Sequence, residues 1–290
     1  MILFLLVIAF GFLILFPGTA FVGAKSGLLL WFQVVLPTLF PFLVITNMME
    51  RLFPISSGKL YTIFTGFLSG YPIGAKSCNF VVTEGKTSKK EGQFLLSFCN
   101  NASPAFLLNY VFVHCLNLTD KRFILLGILY LSAILSALII YPRNSKKRTK
   151  VVKNSNRMEA SSQKALSFDN VIMASFEVIT KIGGYIILFS LLANIIKVHV
   201  PVPDIAKIFL CGSMEITTGM NLIHGSSLSP STRLLIGMFI ASFGGLSALF
   251  QTQAVIKESN LSVLTYTVTK VLGSGICVVL TYLLLLFNIL

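Results

Sequence analysis

The sequence predicts an all-α polytopic membrane protein built as two pseudo-symmetric, inverted repeats with broken helices and re-entrant hairpins. Three observations carry this expectation. Long apolar runs recur along the chain, a polar basic segment falls near its midpoint, and glycine- or proline-interrupted segments occur in matching order on either side.

The composition is 55% hydrophobic and only 11% charged, against roughly a quarter charged residues in soluble domains. Apolar runs cover Met1–Phe16, Gly27–Met49, Phe123–Tyr141, Ile182–Ile196 and Val271–Leu290, near the ~20 residues a helix needs to cross a bilayer. They are continuous rather than alternating, which argues against a transmembrane barrel. The opening run lacks a basic flank and a small-residue cleavage site, so residues 1–25 are expected to hold a retained N-terminal span.

The net charge of +13 does not point to nucleic acid. Eight of the 23 basic residues lie between Arg143 and Lys164, as in a cytoplasmic loop of a membrane protein. Such a segment buries too little apolar surface to fold alone. It divides the chain into a first repeat, 26–142, a basic cytoplasmic linker, 143–165, and a second repeat, 166–290. At an offset of 145 residues Gly74 meets Gly219, Gly92 meets Gly237, Phe94 meets Phe239, and Ser97-Phe98 meets Ser242-Phe243. The five cysteines show no metal-ligand spacing and read as small packing residues.

Residues 60–82 centre on Ser69-Gly70-Tyr71-Pro72-Ile73-Gly74. Glycine suits a helix end and proline the first turn of the next helix. The segment therefore reads as two half-helices meeting at a tip, with a straight span as the alternative, and 204–224 poses the same choice. A hairpin at 60–82 puts thirteen Lys/Arg on one face of the first half (loops 49–59, 83–92 and 143–165) and three on the other (loops 17–25 and 116–122). A straight span gives twelve against four, so charge favours inversion by a small margin.

Inverted-repeat transporters bind substrate where discontinuous helices expose backbone groups near the midplane. The candidate breaks are 69–76 and 99–104 in the first half, 215–221 and 242–247 in the second. They supply the candidate substrate-binding residues: Ser69, Gly70, Tyr71, Pro72, Gly74, Lys76, Asn100, Asn101, Ser103, Glu215, Thr218, Asn221, Ser242 and Ser247. Pro104 frees the carbonyl of Asn100. Asn100, Asn101 and Ser103 either bind a polar ligand or glue helices together. Lys76, just past the first tip, either meets an anion beside a helix N-terminus or snorkels or pairs with Glu215. Glu215 is also a candidate for a coupling proton or cation. Glu177 and Lys181, four apart in the favoured order, are expected to neutralise each other. No phosphate-binding loop, H-E-x-x-H or G-x-S-x-G motif occurs, and no nucleophile finds a base. An enzyme is not expected, nor a cofactor, and the coupling ion is open. The expected partners are the lipid bilayer and a small anionic substrate, without nucleic acid, and a second copy of the chain is admissible.

LPTLFPFLVITNMMERL, GFLSGYPIGAK and LLSFCNNASPAF together resemble the sporulation integral membrane protein YlbJ family, also called SpoVV. The resemblance is strong over residues 30–115 and looser to about residue 285. It implies Gate-like nucleoside-recognition repeats, similar to parts of concentrative nucleoside transporters. It further implies movement of dipicolinic acid across the outer forespore membrane from mother cell to forespore. Lys76, the half-helix N-termini and the Asn100–Ser103 cluster would then meet that planar dianion. A nucleoside or nucleobase carrier, or a non-transporting scaffold working through the basic linker, are the alternatives.

Overall fold

The computed structural model describes residues 11, 13–52, 58–141 and 168–288. The expected basic linker and most of the first apolar run lie outside them. Among the described residues the regular structure is entirely helical.

The chain enters α1, Pro17–Leu30, passes through a π-helical turn π1, Trp31–Val35, and continues as α2, Leu36–Leu52. The expected loop at 17–25 is therefore helix, and the expected boundary at residue 25 falls inside it. Pro17 opens the helix at its first turn, and Gly23 and Gly27 are packing sites. A Cβ on Gly23 would lie 2.8 Å from the Leu191 Cα, and one on Gly27 2.7 Å from the Ile187 Cα. Both face α7, Phe168–His199. Small residues let helix backbones approach closely in lipid, where packing replaces the hydrophobic effect. Trp31 adds a hydrogen bond from its indole N–H to the Ile179 carbonyl at 2.9 Å.

Two helical hairpins follow the same plan. The first pairs α3, Gly58–Ser69, with α4, Ile73–Thr83. The second pairs α8, Asp204–Met214, with α9, Ile216–His224. Helices of 9 to 12 residues reach at most about 18 Å at 1.5 Å per residue, short of a ~30 Å hydrocarbon core. Each pair meets through glycines. A Cβ on Gly74 would lie 3.1 Å from the Gly66 Cα, and one on Gly219 only 2.3 Å from the Gly212 Cα.

Two interrupted helices stand beside the hairpins. α5, Lys89–Cys99, begins with a capping box between Ser88 and Glu91. It stops at Asn100, and helix resumes at Pro104 to become π2, Phe106–Cys115. In the second half α10, Pro230–Phe243, meets α11, Gly245–Val255, across Gly244 and Gly245, at φ +84 and +82. Glycine carries this left-handed joint because it has no Cβ to clash. Uninterrupted helices complete each half: α6, Arg122–Ile140, and α12, Val263–Leu286. The latter starts well before the expected Val271, capped by Ser262 on the Thr265 N–H.

Among the described residues, five helical stretches are long and apolar enough to cross a membrane: Pro17–Met49, Arg122–Ile140, Phe168–His199, Pro230–Val255 and Val263–Leu286. Large apolar side chains such as Phe21, Phe64, Phe123, Leu264 and Phe287 face outward, as lipid-facing surfaces require. The seam of π1 against α7 supplies a first test. A Cβ on Gly183 would lie 2.7 Å from the Trp31 indole, whereas Gly184 has open space. Gly183→Ala is expected to destabilise by about 1–3 kcal/mol through overpacking, and Gly184→Ala to be neutral or mildly stabilising. Thermal unfolding in detergent micelles reads both, and equal melting temperatures would discard the seam.

Candidate functional site

Both hairpin tips and both helix interruptions converge on one cavity of ≈ 310 Å³. The first tip contributes Ser69 and Tyr71, and the second contributes Glu215, Ile216 and Thr217. Ala102, Ser103, Ala105 and Phe106 line it from the first interruption, Gly244, Ser247, Ala248 and Gln251 from the second. α1, π1, α2 and α7 close it with apolar side chains, among them Leu30, Val34, Leu39 and Ile186. Asn109 and Tyr110 extend the wall along π2.

Backbone contacts fix the tips. The Tyr71 N–H donates to the Asn101 carbonyl at 2.7 Å. Gly70 has φ +74, and a Cβ there would fall 2.5 Å from the Ser103 nitrogen. The Tyr71 ring lies against the opposite half, 3.4 Å from where a Gly244 Cβ would be. At the second tip the Glu215 carboxylate caps α9, accepting the Thr217 N–H at 3.1 Å and the Thr218 N–H at 2.8 Å. The Thr218 hydroxyl donates at 3.0 Å, and the Thr217 hydroxyl also donates. Four donors and a helix N-terminus thus hold a buried carboxylate on the cavity wall.

Of the candidate residues read from sequence, Ser69, Tyr71, Ser103, Glu215 and Ser247 line this cavity. The others stand behind or apart from it. Gly70, Pro72 and Gly74 shape the first hairpin. Thr218 serves the Glu215 cap, Asn221 accepts the Tyr110 hydroxyl at 2.9 Å, and Ser242 sits beside Cys277 of α12.

Asn100 is a framework junction. Its Oδ1 accepts the Ala75 N–H at 3.1 Å, and its Nδ2 donates to the Thr252 Oγ1 at 2.8 Å and the Tyr266 hydroxyl at 3.0 Å. The carbonyl that Pro104 frees accepts the Tyr266 hydroxyl at 2.7 Å. One amide therefore ties α4, α11 and α12 together, all of it buried. Asn101 donates to the Phe98 carbonyl at 2.6 Å and accepts from the Lys270 Nζ at 2.9 Å.

Lys76 is half-buried, away from the cavity, and borders a second space with Asn79, Lys181, Lys257 and Glu258. The face of α4 turned inward carries Ile73, Gly74, Ala75, Ser77, Cys78 and Val81, and a helix presents position 76 to the other side. Glu177 and Lys181 pair at 2.6 Å on an exposed surface, and all five cysteines are buried.

The lysine that the sequence reading missed is Lys270, 4% exposed and in the interior of α12. Taking the span from Val271 excluded it, whereas carrying the helix back to its Ser262 cap would have included it. An intramembrane lysine costs about 2.5–3.5 kcal/mol on insertion scales and marks a functional site by default. Also missed was an aromatic ladder leading out of the cavity. Phe106 stacks on Tyr110 at 5.1 Å, Tyr110 lies tilted against His114 at 5.6 Å, and His114 stacks on His224 at 5.2 Å. Spacing of four along π2 keeps these rings on one side, and both histidines are exposed.

Spanning-length helices, an inward network of paired polar groups and an outward apolar surface define a polytopic α-helical integral membrane protein. Comparison with known proteins adds one relative. The chain is 24% identical to the sporulation integral membrane protein YlbJ of Bacillus subtilis (strain 168), over 88% of this chain and 75% of that protein. Similarity of this extent supports the resemblance to the YlbJ family. No family model matches the chain, and no solved structure matches it.

Proposed function

We propose that this protein is a secondary transporter that carries a small planar anionic metabolite, dipicolinic acid first among candidates, across a membrane of the sporulating cell. The membrane role in sporulation is supported by the similarity to YlbJ, and the outer forespore membrane is the compartment that fits this cargo. The observation that carries the reading is the convergence of two hairpin tips and two helix interruptions on one cavity. Broken backbone at membrane depth is tolerated where it lines such a space, and transporters of inverted-repeat design bind substrate there. In this reading the hairpins are re-entrant, the halves are inverted, and access alternates as one repeat rocks against the other.

Tyr71, Phe106 and Tyr110 offer ring faces to a planar ligand, and Ser69, Ser103 and Ser247 offer hydroxyls. The N-terminus of α11 has no side-chain cap and opens at the cavity through Gly244 and Ser247, so its N–H groups suit a carboxylate. One observation favours a second reading. Among the described residues the cavity lining contains no lysine or arginine and does contain Glu215, which suits an uncharged nucleoside or nucleobase.

Uptake of radiolabelled dipicolinate into proteoliposomes, with competition by uridine and adenosine, separates the two. Ala105→Trp, which fills the cavity, is expected to lower uptake by tenfold or more, a loss of about 1.4 kcal/mol. Lys76→Ala is expected to keep it. Loss in Lys76→Ala with retention in Ala105→Trp would move the site to the first hairpin's outer face. Inhibition by nucleosides alone would establish the second reading.

A further inference from the structure

We propose that Lys270 is the proton-binding site that couples substrate movement to the proton gradient, an inference that rests on the transport reading above.

The Lys270 ammonium is held in the interior of α12 by one neutral acceptor, the Asn101 Oδ1 at 2.9 Å. Among the described residues it forms no salt bridge. The elements packed on α12 offer it no charge. α5, α6 and α10 carry charged residues only in their first four positions (Lys89, Lys90 and Glu91; Arg122; Arg233), and α11 carries none. From these elements Ser97, Ser132, Ser136 and Ser242 face α12, all neutral. The ionisable groups nearby on α12 itself are the Cys277 thiol and the Tyr266 phenol, and the phenol is occupied by Asn100. A cation placed so, without a carboxylate, is a group whose proton can leave and return.

The position also reaches the cavity through two hydrogen bonds. Lys270 donates to the Asn101 side chain, and the Asn101 carbonyl accepts the N–H of Tyr71, whose ring lines the cavity. The Asn101 Nδ2 is committed to the Phe98 carbonyl at 2.6 Å, which turns Oδ1 toward the amine. A charged amine grips that oxygen more strongly than a neutral one, so protonation tightens the first interruption and the tip seated on it. An anion in the cavity raises the proton affinity of Lys270, and by reciprocity the proton raises affinity for the anion. Proton and anion therefore move together. The chemistry is a single step, amine plus proton to ammonium on entry and the reverse on release.

The test uses full-length protein in liposomes containing a pH-sensitive dye, with radiolabelled dipicolinate or uridine outside. Wild type is expected to acidify the lumen as dipicolinate enters, and an acid-outside gradient is expected to raise uptake roughly tenfold, within the usual range of coupling between sites. Lys270→Gln and Lys270→Arg are expected to retain exchange of labelled for unlabelled dipicolinate while losing both responses. Thermal unfolding identifies which of the two variants is folded, and the folded one decides. A folded variant that keeps gradient-driven uptake overturns the assignment and leaves transport standing. Wild-type uptake indifferent to the gradient overturns it as well. Wild type that moves neither ligand overturns the transport reading, and this inference with it.

Discussion

Asn100→Leu is expected to lower the melting temperature of the protein sharply, whether or not ligand is present. The substitution removes an acceptor from the first turn of α4 and two donors from α11 and α12. Interhelical hydrogen bonds in membranes are worth about 0.6–1.7 kcal/mol each, so three together amount to roughly 2–5 kcal/mol. The buried Ala75 N–H loses its side-chain partner, which adds to the cost. The result distinguishes two roles that an uptake assay alone confuses. A ligand-binding Asn100 would leave the unliganded protein as stable as the parent and reduce only the stabilisation by added substrate. A framework Asn100 lowers the unliganded melting temperature first, and transport falls as a consequence. Unchanged stability would return Asn100 to the list of substrate contacts.

The second large effect is expected at the hairpin glycines. Gly219→Ala would place a Cβ 2.3 Å from the Gly212 Cα, with the Gly212 nitrogen at 2.9 Å, so only backbone movement relieves the clash. Overpacking of this kind costs about 1–3 kcal/mol or more, and here it pries α8 from α9. Gly70→Ala combines a Cβ 2.5 Å from the Ser103 nitrogen with φ +74, and the left-handed conformation alone costs roughly 1–2 kcal/mol. Cys211, buried on α8, reports the first of these directly. Its labelling by a membrane-permeable maleimide is expected to rise in Gly219→Ala and to stay low in Gly184→Ala. Equal labelling in the two variants would mean that the hairpin tolerates the extra methyl group.

Much of the architecture was legible because it depends on local chemistry. Apolar run length announced the class. Gly70-Tyr71-Pro72 and Asn100–Pro104 announced places where helix cannot continue. Where the reading failed, the signal was ambiguous in kind. Gly23 and Gly27 look the same in a loop as in a close-packed helix seam, and only the presence of α7 against α1 distinguishes the two. Phe106, Tyr110 and His114 lay in an apolar run, and it takes the π-helical spacing and His224 from another helix to make them a ladder.

The site divides along the same line. A broken helix locates polar residues along the chain, but not around the helix axis. Each step of one residue turns a side chain by about 100°, at 3.6 residues per turn. That rotation turns Lys76 of α4 away from the cavity, and the non-helical path from Asn100 to Ser103 makes Asn100 and Asn101 into ties between helices while Ser103 lines the cavity. The sequence by itself determined the class, a helical chain with membrane-spanning runs, and pointed to four segments where helix is interrupted. Tertiary structure alone decided that these four breaks meet at one cavity and that Lys270 stands behind it. Those facts depend on the packing of helices more than a hundred residues apart, and local propensity carries no record of that packing.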